Sequence, residues 1–206
     1  MALITDLKTG KRKDKVQLFL EGEYRCTLTK VSVLTYRLKI GEELSEVRLE
    51  EILRESETQQ AFDRALSLLE KYLKTEKQMK EYLLSKGFAE EAVVPAIAKL
   101  KRYGYLDDVD YASCFTENAL HSKGKFRIRM ELLQKGVDRT TVDEVLESTQ
   151  EDAETAVKLA EKYLKNKPKD RPTKAKLYRH LSARGFSAET VSSVLRRFDW
   201  ETEDFE

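Results

Sequence analysis

The side chains of this 206-residue chain best supplied for chemistry are cations. Between Lys162 and Arg184 the cations Lys162, Lys165, Lys167, Lys169, Arg171, Lys174, Lys176, Arg179 and Arg184 stand against one acid, Asp170. A second run, Lys123, Lys125, Arg127 and Arg129, contains no acid. Fixed cations at this density suit phosphate oxygens or an acidic protein surface. Two-residue spacing does not hold all four of the second run on one helical face. Lys123 and Lys125 are therefore expected in a loop that becomes helix near Gly124. Acid gathers elsewhere, from Asp138 to Glu154 and from Asp199 to Glu206, and the net charge is only +1. Any attraction to polyanions is then local, because no global field draws the chain to them.

Other chemistry is thinly supplied. The two histidines, His121 and His180, and the two cysteines, Cys26 and Cys114, lack metal-ligand spacing, so no metal site and no cofactor are expected. The cysteines suggest no disulfide framework, and free thiols suit a reducing cytoplasm. Gly22, Gly41, Gly104 and Gly124 stand singly rather than in a phosphate loop. Asp107 and Asp108 are adjacent carboxylates, a pattern far commoner at helix starts than in paired-acid catalysis. No nucleophile elbow stands out, and no catalytic residue is assigned. Without a signal peptide or a long apolar run, a cytoplasmic protein away from membranes is expected.

The elements that must position the cations are repeated. Gly87, Gly136 and Gly185 lie 49 residues apart, each in similar text: Leu83-Leu84-Ser85-Lys86-Gly87-Phe88, Leu132-Leu133-Gln134-Lys135-Gly136-Val137 and Leu181-Ser182-Ala183-Arg184-Gly185-Phe186. Met79, Ile128 and Leu177 keep the register upstream. Val93, Val142 and Val191, then Ile97, Leu146 and Leu195, keep it downstream. Such a period is one supersecondary unit copied three times. Phe62, Ala65, Leu66, Leu69, Tyr72 and Leu73 recur at helical steps and predict a first helix. Met79 and Leu83 lie on a second, stopped at Gly87 by a left-handed cap. A third starts at Ala89, Asp138 or Ser187, the last two being good N-caps. Pro95 is expected to kink its helix.

The fold class that follows is mainly α. Three tandem three-helix (helix-turn-helix-like) repeats form an elongated curved array, preceded by a small strand-rich α+β N-terminal module. The boundaries are 1–58 for that module, 59–108, 109–153 and 154–200 for the repeats, and 201–206 for an acidic tail. Copy two begins near Asp110 and copy three near Glu154. Copy three carries about seven extra residues, Asn166 to Pro172, expected as an exposed loop. In the first module, strands are predicted at 3–8, 15–20 and 23–28, with a turn at Lys11–Asp14 and a tight hairpin at Glu21-Gly22. Short helices follow at 30–39 and 45–56. Tyr103, Tyr105 and Tyr111 are expected to bury ring area where units meet. Trp200 is expected to close the end of the array.

One stretch carries a resemblance. Tyr103-Gly104-Tyr105-Leu106-Asp107-Asp108-Val109-Asp110-Tyr111-Ala112, then Ser122-Lys123-Gly124-Lys125-Phe126-Arg127-Ile128-Arg129-Met130-Glu131-Leu132-Leu133-Gln134-Lys135-Gly136-Val137, resembles the RecX family of recombination regulators. The similarity spans residues 60–200 and includes the flanking Lys86-Gly87-Phe88 and Arg184-Gly185-Phe186. It implies a non-enzymatic modulator that lies along the groove of the RecA–DNA filament. It further implies inhibition of RecA strand exchange, ATP hydrolysis and coprotease action, with weak binding of single- or double-stranded DNA. The protein is expected to act as a monomer. The residues alone also admit a direct helix-turn-helix DNA binder, or a helical-repeat scaffold for another partner. The acidic third helix of copy two speaks against the DNA binder, since that helix would have to enter the major groove.

Overall fold

Alternating Val16, Leu18 and Leu20 put three apolar side chains on one face of a strand, and all three are buried. The computed structural model describes residues 1–9, 15–149 and 153–200. The expected Lys11–Asp14 turn and the acidic tail after Trp200 lie outside them. Strands β1 (Ala2–Thr9), β2 (Lys15–Leu20), β3 (Glu23–Thr29) and β4 (Glu43–Leu44) form an antiparallel sheet in the order β3-β2-β1-β4. Three strands were expected; β4 is two residues long and leaves no periodic trace. Glu21 and Gly22 both have positive φ, 50° and 87°, which matches hairpin twist to strand twist.

Helix α1 (Lys30–Thr35) is shorter than expected, with Thr29 accepting from Ser32 N as its cap. Helix α2 (Glu46–Leu69) starts at a Ser45 cap and runs 24 residues. It replaces the two separate helices expected at 45–56 and from Phe62 onward. The link Glu57-Thr58-Gln59-Gln60 holds no glycine or proline, so nothing breaks it. One end of α2 buries Leu49 and Ile52 against the sheet, with Ile4, Leu18 and Leu28. The other end buries Ala61, Phe62 and Ala65 in the first repeat. It stops at Leu69, so Tyr72 and Leu73 are exposed instead of joining the helix face. Leu164, aligned with Leu73 in the sequence, is buried.

The remaining helices are α3 (Glu76–Ser85), α4 (Glu90–Arg102), α5 (Asp108–Leu120), α6 (Lys125–Gln134), α7 (Arg139–Glu147), α8 (Ala153–Leu164), α9 (Arg171–Ala183) and α10 (Ala188–Arg196). The chain is thus mostly helical, three three-helix units in tandem after a small antiparallel module. Positions aligned by the 49-residue interval are core positions: Met79, Ile128 and Leu177 are fully buried, as are Leu83, Leu132 and Leu181, and Val93, Val142 and Val191. Pro95 lies inside α4, which begins on time at Glu90. Pro95 and Glu91, whose carbonyl the proline leaves unbonded within the helix, are both exposed residues. Arg171 and Pro172, expected in a loop, instead form the first turn of α9, where proline's fixed φ and missing N–H are suited.

All three repeat glycines have left-handed φ, 86°, 91° and 86°. The residue after each returns a bond to the helix: Phe88 N to Leu83 O at 3.4 Å, Val137 N to Leu132 O at 3.1 Å and Phe186 N to Leu181 O at 3.3 Å. This is the Schellman closure with its apolar contact.

The chain divides into two compact units: residues 1–73 with 79–106, and residues 74–78 with everything from 107 onward. Within the second unit, two of the glycine caps meet the start of another helix. Gly124 N donates to Arg184 O at 2.9 Å, and Phe126 N donates to Gly185 O at 3.2 Å. The orphan amides at the start of α6 thereby satisfy the orphan carbonyls at the end of α9. A Cβ on Gly185 would collide with the Arg127 amide, and one on Gly124 with the Gly185 carbonyl. At positions 49 residues earlier, Thr75 Oγ1 donates to Lys135 O at 2.6 Å and Lys77 Nζ to Gln134 O at 3.5 Å. Here Lys77 fills the space beside Gly136. Gly87, in the first unit, has nothing within 4 Å of where its Cβ would be.

Candidate functional site

Lys162, Lys165, Lys167, Lys169, Arg171, Lys174, Lys176 and Arg179 are all exposed, on α8, on the loop after it and on α9. Asn166 turns that loop with φ 66°. Asp170 caps α9 by accepting from Thr173 N at 2.8 Å. Hydrogen bonds from the Thr173 side chain and then its amide hold the Asp170 carboxyl below the usual carboxylate range. The single acid of the run is therefore committed to the helix start. Three cations lie over rings of the third core: Lys167 Nζ is 3.3 Å from the Tyr163 centroid, Lys174 Nζ 5.6 Å from Trp200 and Lys169 Nζ 5.9 Å from Phe198. Such cation–π contacts hold side chains in place without neutralising them. Among the described residues, none of these eight cations forms an ion pair.

The second basic run is placed differently. Lys123 and Arg127 both bond Glu131, at 2.6 and 2.8 Å. Lys125 Nζ donates to Leu146 O at 2.7 Å, and Arg129 pairs with Asp143 on α7. Burial alone would raise the Glu131 pKa, but the hydrogen bonds and charges of Lys123 and Arg127 outweigh it and hold the carboxyl below its ordinary range. The four cations brace α6 from inside the second repeat. Gly124 is the N-cap of α6, where the loop-to-helix change was expected.

The acidic pair also turns to structure. Asp107 accepts from Val109 N at 2.7 Å and caps α5, while Asp108 accepts from Glu76 N at 2.8 Å and serves the start of α3. Tyr111 stacks on Phe115 over the second core, with centroids 6.1 Å apart. Tyr103 and Tyr105, expected to be buried, are 51% and 55% exposed. They meet edge to face with each other and with Phe62 beneath. The α4 helix ends at Arg102, and the short Tyr103–Tyr105 turn carries both rings outward past the core. Trp200 is half-buried on the third core, its Nε1 donating to Leu195 O at 2.7 Å.

No described helix is long and apolar enough to cross a membrane. Among the described residues no grouping of His, Cys, Asp and Glu could hold a metal ion.

The comparisons with known proteins follow the same three units. Family models for the first, second and third three-helix domains of RecX match residues 61–109, 107–146 and 150–195. The Regulatory protein RecX of Clostridium botulinum (strain Eklund 17B / Type B) is 32% identical over 203 residues, covering 95% of this chain and 96% of that one. That of Bacillus licheniformis is 31% identical and covers 99% of this chain and 80% of its own. A crystal structure of regulatory protein RecX superposes with a TM-score of 0.76 at 28% identity, across 94% of this chain and 98% of the other. A second, from Lactobacillus salivarius, shares the fold with a TM-score of 0.62 at 23% identity, over 68% of this chain and 96% of its own. From the tripled cap to the helical units built around it, the chain belongs to the RecX family of regulatory proteins.

Proposed function

We propose that this chain is a non-enzymatic regulator that binds the RecA–DNA filament along its groove, as a monomer, and inhibits recombinase, ATPase and coprotease activities. The observation that carries the reading is the match of all three helical units to the three RecX domains, one after another. The chemistry agrees with it. Linked modules that each bind weakly gain through effective concentration, which suits a polymer with repeating sites. The eight exposed cations of the third repeat offer contacts to filament phosphates or to acidic protein surface. Blocking a second DNA, and hindering the subunit movements of the ATP cycle, would then need no catalytic group. The direct helix-turn-helix alternative is the weaker one. The α7 surface carries Asp143, Glu144 and Glu147, and Arg197 beside α10 is paired with Glu154 at 2.7 Å.

The decisive experiment is DNA-dependent ATP hydrolysis by RecA with this chain at substoichiometric amounts. Inhibition, with co-sedimentation on filaments, is expected. Full hydrolysis and no co-sedimentation would end the reading. Reversing Lys167, Lys169, Arg171 and Lys174 to Glu is expected to weaken filament binding and leave the melting temperature nearly unchanged.

A further inference from the structure

The exposed cations of the third repeat do not all face open solvent. A cleft of about 610 Å³ lies where the end of α5, the α8 helix with its loop, and the last turn of α9 come together. Lys162, Lys165, Lys167 and Arg184 line it, with His121 and His180, and among the described residues no carboxylate does. Arg184 is fixed at its rim: Nε donates to His180 Nε2 at 3.1 Å, and Nη1 to Ser122 O at 3.5 Å. His180 packs on Tyr163 at 4.6 Å between centroids, and Lys167 sits over the same tyrosine.

We propose that this cleft is a phosphate-binding site, in which Lys162, Lys165, Lys167 and Arg184 surround the anion and His180 gains a proton as it binds. Four cations and two imidazoles, unanswered by any acid among the described lining residues, leave a surplus of positive charge in a concave site, where fields are focused. A phosphate brings more charge and more acceptor oxygens than a single carboxylate, and Arg and Lys donors bind it strongly. Tyr163, the aromatic ring in the lining besides the imidazoles, already holds His180 and Lys167 against it. Recognition is of the phosphate and not of a nucleobase.

The histidine supplies the coupling. Its Nε2 accepts from Arg184, which makes the ring neutral with its proton on Nδ1. Burial first, then the charges of Arg184 and Lys167, hold its pKa below the ordinary histidine value. Among the described residues, the groups facing it are Tyr163 and Lys167 from α8 and its loop, Arg184 at the C-cap of α9, and the cleft cations Lys162 and Lys165, with His121 from the end of α5. A bound anion offsets those charges and favours the imidazolium. Protonation at Nε2 ends the bond from Arg184 and turns that N–H toward the anion. Phosphate binding and protonation of His180 therefore strengthen each other, as linkage requires.

The test uses the full chain without RecA, so its failure and the failure of the filament reading are separate results. The His180 imidazole is followed by NMR across pH, in matched ionic strength, with inorganic phosphate, ATP, an oligothymidylate and polyglutamate. The His180 midpoint is expected to move to higher pH with a phosphate ligand. Movement with the oligonucleotide alone assigns the backbone phosphodiester; movement with phosphate and ATP as well assigns free phosphate groups. No movement with any of them, or movement with polyglutamate only, overturns the proposal. Changing Lys162, Lys165 and Lys167 together to Gln should weaken binding roughly tenfold or more. For the oligonucleotide, the log–log salt slope should shrink by about 0.7, the share of the one phosphate that the three lysines surround on a single strand. The melting temperature should stay put, because all three side chains are exposed. Unchanged affinity in a folded triple variant would overturn the proposal equally.

Discussion

Two joints in the second unit are related by the same 49-residue interval and are closed by different chemistry. Where Gly185 meets Gly124, backbone bonds backbone, and both residues must lack a Cβ. Where Gly136 meets Thr75 and Lys77, a hydroxyl and an ammonium reach across, and the space beside the glycine is filled by the Lys77 side chain from Cβ to Cδ. Thr75 occupies the position that Gly124 holds one interval later. One sequence unit therefore makes its contact at two depths. In the deep version backbone faces backbone; in the shallow one the glycine faces a side chain, of which only the outer atoms can move aside. Gly87 completes the series as a cap with the same left-handed φ and no neighbour.

Substitution of these glycines separates the cost of backbone conformation from the cost of collision. Gly185→Ala carries both. Left-handed strain of about 1–2 kcal/mol adds to overpacking of about 1–3 kcal/mol against an amide that cannot move aside. A loss of about 3 kcal/mol or more is expected, visible by denaturant unfolding. Gly124→Ala should be nearly as harmful although its φ is −83°, because only the collision acts there. If Gly124→Ala unfolds like wild type, the tight backbone joint is misread.

Gly136→Ala should cost somewhat less, about 2 kcal/mol, because it meets a side chain and no backbone: the Lys77 Cδ can swing away, although its Cβ can yield only by a shift of α3. The sharper measurement is the double-variant cycle with Lys77→Gly, which removes the Cβ lying 2.5 Å from the new methyl as well as the Cγ and Cδ. Removing all three atoms should bring the added cost of Gly136→Ala down to that of an open cap. No coupling between the two changes would mean that Lys77 does not fill that space. Gly87→Ala sets the reference at about 1 kcal/mol, from conformation alone. Equal losses at 87, 136 and 185 would erase the distinction between the joints.

Much of this was legible beforehand, for a physical reason. A helix cap needs a residue that tolerates positive φ, so the glycine interval announced the three caps, and apolar positions in register with them became the cores. What escaped has its own causes. The union of two expected helices into α2 depends on what is absent between residues 57 and 60, and absence of a breaker is a weak signal. Tyr103 and Tyr105 look like core aromatics, yet a short turn carries them outward. Lys123, Lys125, Arg127 and Arg129 advertise charge, while their partners Glu131, Asp143 and the Leu146 carbonyl come together only in the folded repeat. Gly124 reads alone as one glycine in a loop. Its role appears once Thr75 is set beside it at the same interval, because a joint made of main-chain atoms writes nothing into the sequence except the missing side chain.

The smallest expected effect bears on what holds the tight joint in place. Lys123 and Arg127 flank Gly124, and Arg127 is the residue whose amide lies under Gly185. Both are tied to Glu131, whose side chain is 17% exposed. Because its folded pKa lies below the unfolded one, Glu131 contributes stability that is fully present above the usual glutamate range and is lost as pH falls through the folded value. Stability should therefore be level near neutrality and decline only in acid. Glu131→Gln should cost at most about 1 kcal/mol at neutral pH, in line with partly exposed ion pairs, and should flatten part of the acid decline. Amide hydrogen exchange at Phe126 and Gly124 in mild acid should quicken in the wild type before it does at Val137. Exchange that quickens at all three together would show that the Glu131 pairs brace the whole repeat, and that the backbone joint needs no local support.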